Sequence, residues 1–502
     1  MSDFMLMIVF ILYFFSVGIL TLYGLNSHVM VYLFKRQVKH CTEEDRVLLE
    51  KFYAHHDAHD LPKVTSQIPI YNEMNVAERV IDAVTAFDYP NEKHEIQVLD
   101  DSTDETSQVI ARKIESLRST GIMITHIRRS SREGYKAGAL TYGIERAQGE
   151  FLAIFDADFV PPHDFLRKTI PFFVLDPQLG FIQSRWGHLN RNENLLTRLQ
   201  SFVLDGLFVI EQSARDWNHL FMGFNGTAGI LRKQAILDSG NWKDDTLTED
   251  LDLSFRMQLA GWKTRYLLDV VSPSEIPRDI HAFKNQQFRW AKGTTQTAMK
   301  LLPSIWQSGC PFFKKFQATL QLTHHLAHPL MVLLILITPV LLLTERMYFP
   351  RGILAGVGGI LLLSFMGPSR LYWTAQKYLN TRWSKQMLSL PLLVCLSGGL
   401  AINNSKAVFE ALLGKRSEFI RTPKQGNLAK IQYKPTTNLL FILEIVFGLW
   451  NLLGISLYIT HHNYFVGYIF FLYALGSLYI GGLSFLYFRR YLRYQRHLPS
   501  PR

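Results

Sequence analysis

The sequence predicts an α/β domain built on a mostly parallel sheet, flanked by apolar helices that cross a membrane. Three observations predict it. Strand-like runs alternate with helix-period segments between residues 45 and 325, the pattern of successive βα units. Long apolar runs cluster at the two ends of the chain. Only 19% of the 502 residues are charged while 48% are hydrophobic, against roughly 25% charged in a soluble globular chain. That composition excludes disorder. Cys41, Cys310 and Cys395 are too few and too far apart for a disulfide scaffold or a zinc ribbon.

The first apolar run, Phe4 to Leu25, carries no charge and is long enough to cross a bilayer. Asp3 and the lack of a basic start argue for a span rather than a cleaved leader. Lys35, Arg36 and Lys39 come after it, so positive charge places that end in the cytosol. The strands come next: VTSQIPI, EIQVLDDS, MITHIRR, FLAIFDAD and LGFIQSRW. Helix-period segments 75–88, 106–120, 135–148 and 163–174 lie between them. Further apolar runs at 326–343, 352–367, 437–459 and 464–488 are expected to span.

Segment 387–402 has 16 residues and contains Pro391, Gly398 and Gly399. At 1.5 Å per residue it reaches about 24 Å, short of a core of roughly 30 Å. Seven Lys and Arg residues lie in 403–435, and five Arg residues come after the last run. Both groups are cytosolic only if 387–402 does not cross. The expectation is about five spans plus an interfacial or re-entrant segment. The domains read as 1–40, an N-terminal helix with a basic flank; 41–275, the α/β domain; 276–325, interfacial helices; and 326–502, the membrane region.

Candidate chemistry sits at strand ends. Asp100 and Asp101 end one apolar strand; Asp156 and Asp158 end another. Ligands of open α/β sheets bind beyond the carboxyl ends of the strands. An Asp-x-Asp pair offers hard oxygens to Mg2+ or Mn2+, which bridge phosphates. Asp also commonly opens a loop, but two such pairs favour a shared rim. No GxxxxGK[ST] is present, and no GxGxxG follows a strand, so neither a P-loop nor a dinucleotide site is expected. Thr248, Glu249 and Asp250 open a helix-period segment, where Thr248 suits a cap and the two carboxylates suit the helix dipole. Gln286, Arg289 and Trp290 fit either an amphipathic interface helix or a phosphate and sugar contact. The net charge of +11 falls largely beside the spans, where anionic lipid explains it and nucleic acid is not required.

IPIYNE, VLDDSTD, FDADF, GFNGTAG, TED and QQFRW occur in this order. Together they resemble the membrane-embedded processive glycosyltransferases of family 2, the cellulose synthase superfamily. The wording VLDDSTDET, GYKAGAL and AIFDADFVP is most similar to glucomannan and mannan synthase-like members. The resemblance covers roughly residues 60 to 435. It implies a Rossmann-like GT-A fold and an inverting transfer of a hexose from UDP-glucose or GDP-mannose. The acceptor is a growing β-glycan with translocation across the membrane, or a lipid; a noncatalytic scaffold or transporter is least favoured. Membrane lipids and accessory or export subunits are the further partners. The membrane is the plasma membrane with the catalytic domain cytosolic, or the Golgi in a plant.

Position by position, the resemblance implies that Tyr71, Glu73, Asp100, Asp101, Lys136 and Asp156 contact the nucleotide-sugar. Asp156 and Asp158 hold Mg2+ or Mn2+. Asp250 is the general base beside Glu249. Asn225, Gly226, Thr227, Gln286, Arg289 and Trp290 border the acceptor and the leaving diphosphate. FIRTPK, with Phe419, Thr422 and Lys424, is similar to a gating loop within 415–435, with Arg421 and Pro423 as departures. The chain is expected to depart from that family in two ways: no appended cyclic-dinucleotide-binding domain, and one N-terminal span rather than several.

Overall fold

The computed structural model describes residues 3–57, 60–343, 351–379, 387–415 and 439–496. Its sheet has seven strands: β1 Val64–Ile70, β2 His94–Asp100, β3 Met123–Arg128, β4 Phe151–Ile154, β5 Leu179–His188, β6 Gly229–Arg232 and β7 Lys263–Ser274. Their order is β3-β2-β1-β4-β6-β5-β7. The first four strands pair in parallel. β6 runs antiparallel between β4 and β5, and β7 joins β5 in parallel. The first five strands are the predicted ones; β6 and β7 are additional.

The helices are α1 Asp3–His55, α2 Ala77–Thr85, α3 Thr106–Leu117, α4 Tyr135–Ile144, α5 Phe165–Leu175, α6 Leu195–Asp205, α7 Gln212–Asp216, α8 Lys233–Asp238, α9 Glu249–Leu259, α10 Ile280–Gln307, α11 Phe312–Thr323, α12 Ala327–Leu343, α13 Arg351–Tyr378, α14 Leu390–Leu412, α15 Leu440–Thr460 and α16 Tyr464–Arg496. A π-helical segment, Gly206–Glu211, joins α6 to α7.

Two cores form because strand side chains alternate between faces. Phe151 and Ala153 of β4 join α2, α3 and α5 on one face. Leu152 and Ile154 join α4 and α9 on the other. Met30, Val31 and Phe34 of α1 are buried in that second core, whereas Phe4 is 67% exposed. One unbroken helix of 53 residues, about 80 Å long, therefore begins as an apolar rod and ends docked on the α/β domain. There Arg265 Nε of β7 donates to Asp45 Oδ1 at 3.0 Å. The helix is continuous across the expected boundary at 40/41.

Among the described residues, five helical stretches are long and apolar enough to cross a membrane: Asp3–His55, Phe312–Leu343, Leu390–Leu412, Leu440–Thr460 and Tyr464–Arg489. Run 352–367 lies within α13, which packs on α1 through Arg370 and His28, 2.9 Å apart. Segment 387–402 needs correction. Its helix runs on to Leu412, giving 23 residues and about 34 Å, so shortness no longer argues against crossing. Polar residues 403–405 end the apolar run but not the helix, because protein covers them. Asn403 Nδ2 donates to the Lys284 carbonyl at 3.1 Å, and Asn404 meets His328 at 3.0 Å.

Candidate active site

The ends of β1, β2 and β4 meet as the parallel register requires. The Asn72 amide donates to Ser102 Oγ at 2.9 Å, and the Thr103 amide to Asn72 Oδ1 at 2.9 Å. These bonds tie the β1 and β2 loops together. Tyr71 lies beneath Arg132, whose guanidinium carbon is 3.4 Å from the ring centroid. Glu73 is buried at the same turn.

The two predicted carboxylate pairs have different fates. Asp100 has no exposed side-chain surface. Its Oδ1 accepts the Ser102 amide at 2.8 Å; its Oδ2 accepts Ser107 Oγ at 2.6 Å and His126 Nε2 at 2.9 Å. Burial alone would raise its pKa, but these hydrogen bonds outweigh it and hold the carboxyl at about 2. The donors around Asp100 come from its own loop, from the first turn of α3 and from β3. Asp101 accepts Arg129 at both oxygens, 3.0 and 2.5 Å, and Arg129 also donates to the carbonyls of Glu133 and Tyr135. The pair fixes the loop that leads into α4.

Beyond β4 the carboxylates face other elements. Lys136 Nζ, on the first turn of α4, donates to Asp156 Oδ1 at 2.6 Å and to the Gly226 carbonyl at 2.9 Å. The Asp156 side chain stays 34% exposed. Its amide donates to Thr227 Oγ1 at 2.8 Å, so the loop is held without using the carboxylate. Asp158 is nearly buried, and its carbonyl accepts Arg79.

Gly226 is where three elements converge. It has φ of +80°, a conformation costly for side chains with a Cβ. A Cβ here would lie 2.6 Å from Asp250 Oδ2 and 3.3 Å from Lys136 Nζ. Glycine therefore admits the carboxylate and the ammonium to one point. Burial first, and the neighbouring Glu249 second, push Asp250 up to about 7, against the opposing pull of Lys136, the Leu251 amide and Arg289. Burial alone would depress Lys136, but Asp156, Glu249 and Asp250 outweigh it and hold the ammonium above its usual range.

Thr248 occupies the N-cap of α9 but does not cap with its side chain. Its hydroxyl is 3.2 Å from Thr297 Oγ1 of α10. Gly293 explains the approach: a Cβ there would fall 2.8 Å from the Thr248 amide nitrogen. Gln286, Arg289 and Gly293 are three and four residues apart, so one face of α10 carries them to α9. Trp290 comes directly after Arg289 and packs against the core that includes Leu253 and Met257. Phe419, Thr422 and Lys424 lie outside the described residues.

The sequence reading missed two glutamines. Gln183 Oε1 of β5 accepts the Asn225 amide at 2.9 Å, and Gln212 Nε2 of α7 donates to Asn225 Oδ1 at 2.5 Å. The available signal was a polar side chain inside the apolar strand LGFIQ.

A mostly parallel sheet with carboxylates beyond its strand ends, set among apolar helices, defines a GT-A glycosyltransferase domain joined to a membrane region. Residues 62–293 match the family model described as glycosyltransferase like family 2. Glucomannan 4-beta-mannosyltransferase 1 of Oryza sativa subsp. japonica is 34% identical over 386 residues, 74% of this chain and 71% of that protein. The chain belongs to glycosyltransferase family 2, among the cellulose synthase-like proteins. Glucomannan 4-beta-mannosyltransferase 2 of Arabidopsis thaliana is 44% identical over 264 residues, 51% of this chain; the match spans 49%, about half, of that relative's length. A mannosyltransferase from Pyrobaculum calidifontis, solved in complex with GDP-Man and Mn2+, shares the fold at a TM-score of 0.50 and 18% identity, covering 80% of this chain and all of that one.

Proposed function

We propose that the protein is an inverting β-glycosyltransferase that moves a hexose from a nucleotide-sugar to a growing β-glycan at a membrane. The convergence of Lys136, Asp156 and Asp250 around Gly226 carries the reading. The relatives' names favour mannose over glucose as the sugar transferred.

Asp250, poised at about 7, takes the proton from an acceptor hydroxyl. That oxygen forms the new bond to the anomeric carbon as the bond to the diphosphate breaks. One base and no second nucleophile give a single inversion, from α-donor to β-product. Lys136 and Arg289 meet the charge that develops on the departing diphosphate. Tyr71, Glu73 and Asp101 line the nucleotide rim, and Asn225, Gly226, Thr227, Gln286 and Trp290 border the acceptor.

The donor chemistry at β4 fits a divalent cation. No cluster of three His, Cys, Asp or Glu exists among the described residues. Two hard carboxylates, Asp156 and Asp158, suit Mg2+ or Mn2+, which take one or two protein carboxylates and complete their shell with phosphate and water. Such a cation, when bound, neutralises diphosphate charge.

The contacts of α14 support an interfacial placement. Leu393 packs with Leu199 and Phe202 of α6, and Leu400 with Ile280 and Phe283 of α10. Lys292 of α10 donates to Glu410 at 2.9 Å. From Leu393 to Glu410, about 25 Å of helix, one side of α14 lies against α6 and α10, while Gly398 and Gly399 pack against Tyr473 and Ile480 of α16. A cysteine at Lys415 in a cysteine-free chain should resist an impermeant maleimide added outside intact cells; labelling would overturn this placement.

The test of function is the purified chain with GDP-mannose and UDP-glucose, with and without EDTA, and sizing of the product. A β-linked polymer that EDTA abolishes and Mn2+ or Mg2+ restores is expected. No transfer from either donor would overturn the reading, and a product of one sugar on lipid would replace the polymer with a glycolipid.

A further inference from the structure

From Leu220 to Arg232 every residue is buried except Asn225, which is partly exposed. Its side-chain amide has two chemically different ends, and the surrounding bonds decide which end faces out. Gln212 is 1% exposed. Its Nε2 lies 2.8 Å from the Gly223 carbonyl and 2.5 Å from Asn225 Oδ1. A backbone carbonyl can only accept, so the Gln212 atom between them is the nitrogen. That nitrogen donates, so the Asn225 atom it meets is the oxygen. The Asn225 N–H2 must then point to the exposed side.

Gln183 closes the arrangement. Its Nε2 donates to the carbonyls of Thr227 and Ala228, both at 3.1 Å, which leaves its Oε1 for the Asn225 backbone amide. The π segment supplies the register. It ends at Glu211, directly before Gln212, and Tyr266 Oη holds it by donating to the Phe208 carbonyl. The one extra residue of a π-bulge rotates the helical residues after it, Gln212 among them, by about 100°.

We propose that Gln212 is a positioning residue that commits the Asn225 side-chain N–H2 as a hydrogen-bond donor to an oxygen of the acceptor sugar. The proposal rests on the placement of the acceptor beside Asn225 and adds the direction of the bond. Gln212 holds Oδ1 on the buried side and fills one of its two lone pairs, so the group that Asn225 presents outward is the N–H2, a donor to an acceptor oxygen.

The experiment uses the full-length chain, GDP-mannose and a soluble β-manno-oligosaccharide, with acceptor KM and GDP affinity measured separately. Gln212→Met removes both donors at similar length. Gln212→Glu keeps the shape but can only accept, and so draws the Asn225 N–H2 inward. Asn225→Asp keeps the bond from Gln212 and loses the outward donor. Each should raise acceptor KM about 5- to 50-fold, the effect of one unpaired polar group, with GDP affinity within about twofold. The double variant Gln212→Met/Asn225→Asp should be no worse than the weaker-binding single. Unchanged acceptor KM in both Gln212 variants, or additive effects, overturns the orienting role. Unchanged KM in Asn225→Asp and Asn225→Ala overturns the acceptor placement itself. Asn225 is partly exposed, so its variants report even if a Gln212 variant does not fold.

Discussion

Two strand ends of this sheet carry the same sequence feature and do opposite work. After β2, Asp100 and Asp101 are enclosed by donors from their own neighbourhood: Ser102, Ser107, His126 and Arg129. After β4, the loop is anchored by an amide bond to Thr227, and the Asp156 carboxylate keeps a third of its surface exposed, with Lys136 as its ion pair. A carboxylate saturated by local donors is scaffold. A carboxylate whose loop is held by other bonds is left for a ligand. The difference lies in who supplies the hydrogen bonds, which residue identity at the strand end does not encode.

The largest effect should come from the base that faces the β4 side. Asp250→Asn is expected to lower turnover by about 10²–10⁴-fold and to retain nucleotide binding. Because the ionised form accepts the proton, wild-type kcat/KM should fall as pH drops through about 7. Glu249 interacts with Asp250, so the observed value belongs to the pair. Near-wild-type turnover in Asp250→Asn, or a flat profile from pH 5 to 8, would move the base elsewhere.

The direct comparison is Asp156→Asn against Asp100→Asn. The first should cost about 10²–10³-fold in turnover, as for loss of a preorganised electrostatic contact, with little change in melting temperature. The second should do the reverse. Asp100 is depressed from its ordinary value of 3.8 to about 2, and a shift of that size corresponds to ~2 kcal/mol. Linkage sets the sign. The stabilisation is present above pH 4 and is lost as pH falls toward 2, so Asp100→Asn should be less stable near neutrality and lack that part of the acid sensitivity. Thermal melts of the detergent-solubilised chain between pH 3 and 7 measure it. If Asp100→Asn abolished transfer without lowering stability, the two strand ends would be alike after all.

Much of this was legible in sequence, for physical reasons that also mark its limits. β4 is FLAI from end to end, because a strand buried on both faces reads as one apolar run. β7 was missed because Lys263, Arg265 and Asp269 interrupt it, and an edge strand tolerates such charges. α14 was cut short at residue 402 because hydropathy counts Asn403 and Asn404 as breaks, although buried partners satisfy both. Order along the chain placed Lys136, Asp156 and Asp250 in one site. It could not reveal that Asp100 turns inward, since His126 and Ser107, which hold it, belong to no motif.

The smallest expected effects give the sharpest contrast, because one hydroxyl bond is removed on each side. Ser107 Oγ donates to Asp100 Oδ2, and Thr227 Oγ1 accepts the Asp156 amide. Ser107→Ala deletes one of three donors to a buried carboxylate, a loss of about 1 kcal/mol. The carboxylate's pKa should rise in consequence, so the variant's stability loss on acidification begins at a higher pH than in the wild type. Activity should hold, because the Ser102 amide and His126 still fix the buried carboxylate. Thr227→Val preserves shape and leaves the Asp156 amide without its acceptor, also about 1 kcal/mol. Here the freed backbone carries the exposed carboxylate and its Lys136 partner, so turnover should fall about two- to tenfold. The two hydroxyls are chemically equivalent deletions, and only their place in the sheet differs. If both variants changed stability alone, the β4 loop would be scaffold as well, and the reading of Asp156 as a ligand-facing carboxylate would fail with it.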